Sequence, residues 1–525
     1  MQTPRTRRAR WLAPIAVVAV AATTRLWNLG APHILIFDEH FYVKDAYSLL
    51  RLGYEGRWAK LSDPDFAVGN FHGLTTHAEL VQHPPLGKWI IALGLNAFGA
   101  GNSAGWRISM AIIGILAVVL LMGVAFLLFR SFALATIAGG LLAIDGNAIV
   151  MSRIGILDNA VMFLALVAFG AILLDRQWWQ ARVGILLERT HETSDVGSGP
   201  RIPTSWRRPW LLVAGLAIGL DAGVKWSGFF FLAAFVVYVI GVDVLARRRA
   251  GVANWFGGTL VRQGLVDVVL MVPTAIAAYL ATWTGWFVTS GGLYRNWANQ
   301  PGHALTGAFA WIPRTVQSFW HFQQYIYEFG VSLNKAQQYE TPASGWFLLT
   351  RPTQFFIGFT SDGQPGCTSP GNCASVVTDL ANPLIWWMSG LCVLLLVYRF
   401  IFRRDWRIAA ILIGIVGGYV PWLVIPREAV FQFYTIAFEP YMILALVYAI
   451  WLLTGTPPHE RSAGGAAAKV YPLALTLHRS LVGWRITIVF LCLCVLVSIF
   501  FLPVWIDLPE PIWLEQLHAW FPGWN

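Results

Sequence analysis

Apolar runs of about 17–25 residues, enough to cross a bilayer, recur along the chain and alternate with short basic segments. Windows near 11–29, 106–129, 132–150, 156–174, 210–224, 227–246, 264–285, 383–401, 408–425, 430–452 and 486–504 read as transmembrane helices. Only Lys225 and Ser227 separate the fifth window from the sixth. The pattern predicts an all-α polytopic membrane protein of about eleven spans, with its termini on opposite sides. Two longer stretches, 30–105 and 286–382, break the pattern with amphipathic sequence. Asp38 to Leu50 opens with an acid suited to a helix N-cap and sets Tyr42, Ala46 and Leu49 on one side. Ile312 to Leu333 places Val316, Phe319, Trp320, Phe322, Ile326, Tyr327 and Phe329 amid Gln and His, as in a helix lying in the interface. Trp89 to Phe98 is apolar but too short to span, so it reads as another interfacial helix, with Lys88 at its start.

Composition sharpens this. The chain is 57% hydrophobic and 12% charged, against roughly 25% charged in soluble domains, and its mean hydropathy is +0.58. A net charge of +10 does not point to nucleic acid, because the basic residues sit in clusters between apolar runs, as topology signals do. On the N-terminal side of the spans the connecting segments hold 23 Lys and Arg, whereas 30–105 and 286–382 hold 5 and 4. The N-terminus is therefore expected in the cytoplasm, and the two long loops and the C-terminus outside. Arg5, Arg7, Arg8 and Arg10 precede the first apolar run, which continues past Arg25 with no clear small-residue cleavage site, as in an uncleaved first span. Segments 189–209 and 455–469 read as polar cytoplasmic loops. Of five cysteines, Cys367 and Cys373 bracket a turn in an outer loop and are candidates to pair.

In a chain that avoids charge, the outward-facing ionisable residues stand out. Asp38 and Glu39 follow the first span. As helix neighbours they point about 100° apart, which suits one general base and one substrate-binding acid better than two bases. Lys88, Arg107, Arg153, Lys225 and Arg427 fall at or near outer span ends, where cations are costly unless paired or functional. Five on one face predict a shared anion, and a lipid phosphate at membrane depth is the natural one. Asp158 suits an N-cap for its span, and Asp221, four residues before Lys225, suits an i,i+4 pair with it. His83-Pro84-Pro85 excludes regular helix. With no second His at a ligand spacing, His83 is read as a supporting residue and no metal is expected.

The order Arg25-Leu-Trp-Asn-Leu, Phe37-Asp-Glu, His83-Pro-Pro-Leu-Gly-Lys, Arg153-Ile-Gly-Ile-Leu-Asp, Gly223-Val-Lys-Trp-Ser-Gly and Pro426-Arg-Glu resembles protein O-mannosyltransferases, most closely their actinobacterial branch. These are GT-C glycosyltransferases that move mannose from polyprenyl-phosphate-mannose to Ser or Thr of exported proteins. The resemblance implies one GT-C domain over 1–525 in a bacterial plasma membrane, with 30–105 as the catalytic loop. It implies that 286–382 is too short to hold the β-trefoil MIR domain of eukaryotic relatives. It makes Asp38 the catalytic acid residue and gives Glu39 a part in placing the acceptor. Lys225 and Arg427 become ligands of the donor phosphate, with Lys88, Arg107 and Arg153 in support. It implies no cofactor, and as partners the lipid-linked donor, exported polypeptides met near the Sec translocon, and membrane lipids. Asp221 is not part of the family pattern.

Two alternatives fit the same residues less well. A GT-C enzyme passing a lipid-phosphate-linked sugar to a glycolipid or wall polymer would use the same acid and cations. A secondary transporter would place its charges at the midplane rather than at one face.

Overall fold

The computed structural model describes residues 10–60, 62–80, 82–193, 202–332, 337–364, 366–367, 371–403, 405–425, 429–455 and 473–524. Of the loop expected at 455–469 only residue 455 is in this set, whereas the loop expected at 189–209 is in it except for 194–201; Arg427 and Leu333 lie outside it.

Each of the eleven apolar windows contains a helix. Among the described residues, Ser103–Phe129, Asp158–Ile185, Gly228–Arg249, Thr259–Thr282, Pro383–Arg403, Trp406–Val424 and Ser480–Trp505 are long and apolar enough to cross a membrane. An eighth candidate is a bent pair: Phe132–Ile144 and Gly146–Arg153 meet at a 60° bend. Leu12–Leu26, Pro209–Ala222 and Glu439–Thr454 are apolar but shorter.

The bend shows how the chain satisfies backbone groups away from water. Asp145 Oδ1 accepts from Asn147 N at 2.9 Å and so caps the second half. Arg25 donates to the carbonyls of Leu142 and Ala143 at 3.0 and 3.1 Å, closing the C-terminal end of the first half. Arg153, at the end of the broken pair, donates to Thr24 O, Trp27 O and Asn28 O, with the Trp27 bond at 2.7 Å, and ties down the end of the first helix. Small residues bring other helices into contact. A Cβ on Gly215 would lie 2.6 Å from Met271 O, and one on Gly219 2.2 Å from Ala275 O, so Pro209–Ala222 can lie against Leu265–Thr282 only with glycine there. Asp175 is 17 residues beyond Asp158 on the same helix, or about 25 Å along its axis. There Arg208 pairs with Asp175, Asp243 and Asp267, one acid from each of three helices.

The two long loops hold the amphipathic helices that the pattern predicts, as Glu39–Leu52, Leu86–Phe98 and Arg314–Ser332. They also hold strands that the all-α expectation omitted. Thr353–Thr360, Cys373–Asp379 and Glu510–Pro511 form a three-stranded antiparallel sheet, and Gly56–Trp58 pairs with Leu74–Ala78. Short runs of β-branched and aromatic residues such as Ser375-Val-Val-Thr form strands once a partner is at hand. Cys367 and Cys373 are joined in a disulfide, with Cα atoms 5.6 Å apart.

Candidate active site

Asp38 occupies the N-cap position of Glu39–Leu52, but its side chain does not cap that helix. Its carboxylate accepts instead from the Tyr42 hydroxyl at 3.3 Å. The preceding residue, Phe37, has φ of +46°, a conformation a bulky side chain adopts only when its surroundings enforce it. Its ring is held edge-on by Phe355, Phe431 and Phe433 at 5.1, 5.7 and 5.8 Å. These three come from the long 286–382 loop and the segment after the Trp406–Val424 helix, so distant parts of the chain together set the turn that presents Asp38.

Lys225 lies in the connection between Pro209–Ala222 and Gly228–Arg249. It donates to Asp158 Oδ2 at 2.7 Å, and its ammonium stands 4.8 Å from the Tyr434 ring centre. Burial pushes the Asp38 carboxyl up to about 6, and the Lys225 ammonium opposes that shift while Asp158 adds to it. Asp38 therefore sits within electrostatic reach of the Lys225–Asp158 pair.

That pair faces a cavity of about 190 Å³. Its polar lining includes Gln82, His83, Asp158, Lys225, Ser227 and Tyr434. Phe230, Phe231, Trp422, Ile326 and Val331 make an apolar lining, the latter two from the amphipathic helix Arg314–Ser332. A polar pocket with a cation and a carboxylate, continued by an apolar cleft, has the form that an amphiphile with an anionic headgroup requires.

Residues 15–248 match the family model described as dolichyl-phosphate-mannose-protein mannosyltransferase. The chain is 28% identical, over 99% of its length and 93% of the relative's, to a polyprenol-phosphate-mannose–protein mannosyltransferase of Mycobacterium tuberculosis. Over nearly its whole length the chain is similar to protein O-mannosyltransferases. A relative of the same name from Corynebacterium glutamicum is 28% identical over 97% of this chain and 93% of its own. Among solved structures, the S. cerevisiae protein O-mannosyltransferase Pmt1-Pmt2 complex bound to the sugar donor superposes with a TM-score of 0.68 at 14% identity, covering 100% of this chain and 93% of that one. The shared fold is that of the GT-C membrane glycosyltransferases, and the chain is a glycosyltransferase.

Within this scaffold the expected site residues separate into two groups. Asp38, His83, Asp158 and Lys225 gather at or beside the cavity. Glu39, Arg107, Arg153 and Lys88 do not. Glu39 is fully buried. It accepts from Arg107 Nε and Nη2, both at 2.8 Å, from Gly155 N at 2.7 Å and from Ile36 N at 3.1 Å. Arg107 spends its remaining donors on the carbonyls of Ala31, Pro32 and Ile34, and Arg153 on those of the first helix. Lys88 is enclosed with Glu55 at 2.8 Å and Asp45 at 3.6 Å. Burial pushes Asp45 up to about 7, against the pull of Lys88. The expectation of five cations around one anion is thus corrected: three are held by fixed carbonyls or carboxylates, because a buried cation needs local partners more than a distant ligand. Arg427 lies outside the described residues.

Two pairings also change. The Lys225 ammonium bonds to Asp158 and not to the Asp221 carboxylate, although its backbone N–H still donates to Asp221 O at 3.0 Å. Asp158 in turn meets Lys225, although its position suggested a helix cap. Asp221 is buried and neither carboxyl oxygen finds a partner among the described residues. Sequence alone passed over Tyr42 as a partner of Asp38, although i,i+4 spacing was a usable signal. It also passed over Glu55 and Tyr434, which no local pattern ties to Lys88 or Lys225.

Proposed function

We propose that this enzyme transfers mannose from polyprenyl-phosphate-mannose to Ser or Thr hydroxyls of exported polypeptides, on the extracytoplasmic face, by a single inverting displacement. The observation that carries this is Asp38, partly exposed and beside the Lys225–Asp158 pair at a cavity with an extended apolar lining. The hydroxyl oxygen attacks the anomeric carbon and its proton passes to Asp38. The bond from that carbon to the phosphate oxygen breaks, and the electron pair leaves with the lipid phosphate, whose charge Lys225 meets. The leaving group is a lipid monophosphate rather than a nucleoside diphosphate, so the mechanism assigns no metal. Glu39 belongs to the scaffold in this scheme and Arg427 remains a candidate phosphate ligand. The charge asymmetry of the loops and the Cys367–Cys373 disulfide, a bond of oxidising compartments, support an outward-facing site. They also support a cytoplasmic N-terminus, an extracytoplasmic C-terminus and eleven crossings in one GT-C unit.

The test is transfer of labelled mannose from a synthetic polyprenyl-phosphate-mannose to a Thr-rich peptide, with and without chelator, by membranes holding the full chain. The expected result is chelator-resistant transfer that Asp38→Asn abolishes while donor binding persists. An active Asp38→Asn enzyme overturns the base assignment. Transfer to endogenous glycolipid with none to peptide overturns the acceptor class.

A further inference from the structure

Asp38 has the position of a helix cap without its bonding. A capping aspartate would spend its carboxylate on the first free N–H groups of its own helix. Here the first turn takes none of it. The hydrogen bond it receives comes from the Tyr42 hydroxyl, one turn along the same helix, where i,i+4 residues share a face.

The other charged groups near Asp38 are engaged elsewhere. Lys225, from the connection between Pro209–Ala222 and Gly228–Arg249, gives its short contact to Asp158 at the start of the neighbouring helix. His40, on the same helix as Asp38, pairs through Nδ1 with Asp63 at 2.8 Å. Tyr42 is itself buried, with Asp38, Asp158 and Tyr434 the groups that face it. Burial first, and then those carboxylates, push its phenol well above the ordinary range, so it keeps its proton and remains a donor wherever the enzyme works. Its ring also stands 6.0 Å from that of His83, which lines the cavity.

We propose that Tyr42 is a positioning residue for the reaction: its hydroxyl aims the Asp38 carboxylate away from its own helix and holds it in the charged form that can accept the incoming proton. This rests on the assignment of Asp38 as the base. The donated hydrogen bond stabilises carboxylate over carboxylic acid, so its loss makes Asp38 easier to protonate. The acid limb of the rate profile must then move to higher pH.

The experiment uses the full-length enzyme and its Tyr42→Phe variant, which keeps the ring and its packing. kcat/KM for peptide mannosylation is measured from pH 5 to 9, beside donor affinity and thermal midpoint. The expected result is an acid limb raised by about one pH unit, and activity about tenfold lower below both limbs. Activity should return to within about twofold of wild type at pH 8 and above, where Asp38 is charged in both proteins. Donor affinity and midpoint should stay close to wild type. An unmoved acid limb overturns the proposal, as does an activity loss that is equal at every pH. Asp38→Asn separates the two claims. If it is inactive and the Tyr42→Phe limb is unmoved, only the role of Tyr42 fails; if it is active, the base assignment fails and the role of Tyr42 with it.

Discussion

Glu39→Gln decides whether the second acid of the Asp-Glu pair serves the substrate or the scaffold. The substitution preserves shape and removes charge. Glu39 Oε1 accepts from Arg107 Nε and Gly155 N, and Oε2 from Arg107 Nη2 and Ile36 N. A glutamine has one carbonyl oxygen, so whichever way it is turned its amide NH2 faces two of these donors. Two bonds are lost, and the fully buried Arg107 is left without its ion-pair partner. Breaking one side of a buried pair costs about 3–5 kcal/mol, and two hydrogen bonds to a charged group, at about 1.5–3 kcal/mol each, give the same range. For a chain of this size, with an unfolding entropy of about 2.1 cal/mol/K per residue, that is a fall of roughly 3–5 °C in unfolding midpoint. Tryptophan fluorescence of purified enzyme on heating would read it. Arg107→Met should cost a similar amount, and the double variant less than the sum, since the second change no longer strands a charge. A Glu39→Gln enzyme with an unchanged midpoint and lost turnover would refute the scaffold role.

Two further outcomes follow from the same contacts. Lys225→Gln should lower kcat/KM for the lipid donor roughly ten- to hundredfold, the worth of a charge-assisted bond to a phosphate; Asp158→Asn should cost less, because the ammonium remains. Steady-state kinetics with the donor varied checks both. Replacing Cys367 and Cys373 by Ser opens a link between residues six apart, which loop-closure entropy values at about 2 kcal/mol; denaturant unfolding should show that loss while peptide transfer stays within about twofold.

Much of this was legible before any coordinates. Helices lie where the apolar windows are, because a segment in lipid must bond its own backbone and has few alternatives. The outer amphipathic helices were readable from periodicity, and Asp38 from its adjacency to a span. The partners of the cations were not. A row of outward Lys and Arg looks like an anion site, but whether each meets a ligand, a carboxylate or a carbonyl depends on contacts across the fold. Arg107 reaches Glu39, 68 positions away, and Arg153 reaches Ile506. The Asp221–Lys225 pair failed in the same way: the ammonium takes Asp158, 67 positions away, although the backbone of Lys225 still bonds to Asp221 O.

The charges left at the cavity then predict how substrate changes the base. Lys225 and Asp158 offset one another, so the donor phosphate brings a net negative charge close to Asp38. In the free enzyme the Asp38 carboxyl sits at about 6, so kcat/KM, which reports the free enzyme, should fall about tenfold per unit as the medium is acidified below that value. The sign is that of a base: protonation removes activity. With donor bound, a like charge at about 8 Å and an effective dielectric near 20 contributes about 2 kcal/mol, or about 1.5 pH units, before any relief from Lys225. The acid limb of kcat, which reports the bound complex, should therefore lie above that of kcat/KM. Removing the Lys225 charge should raise both limbs, because that ammonium is the main group favouring the Asp38 carboxylate. Peptide mannosylation measured from pH 5 to 8 at saturating and at limiting donor gives both limbs. Coincident limbs would mean that the phosphate binds far from Asp38 or fully neutralised, and would remove the electrostatic link between donor binding and the base.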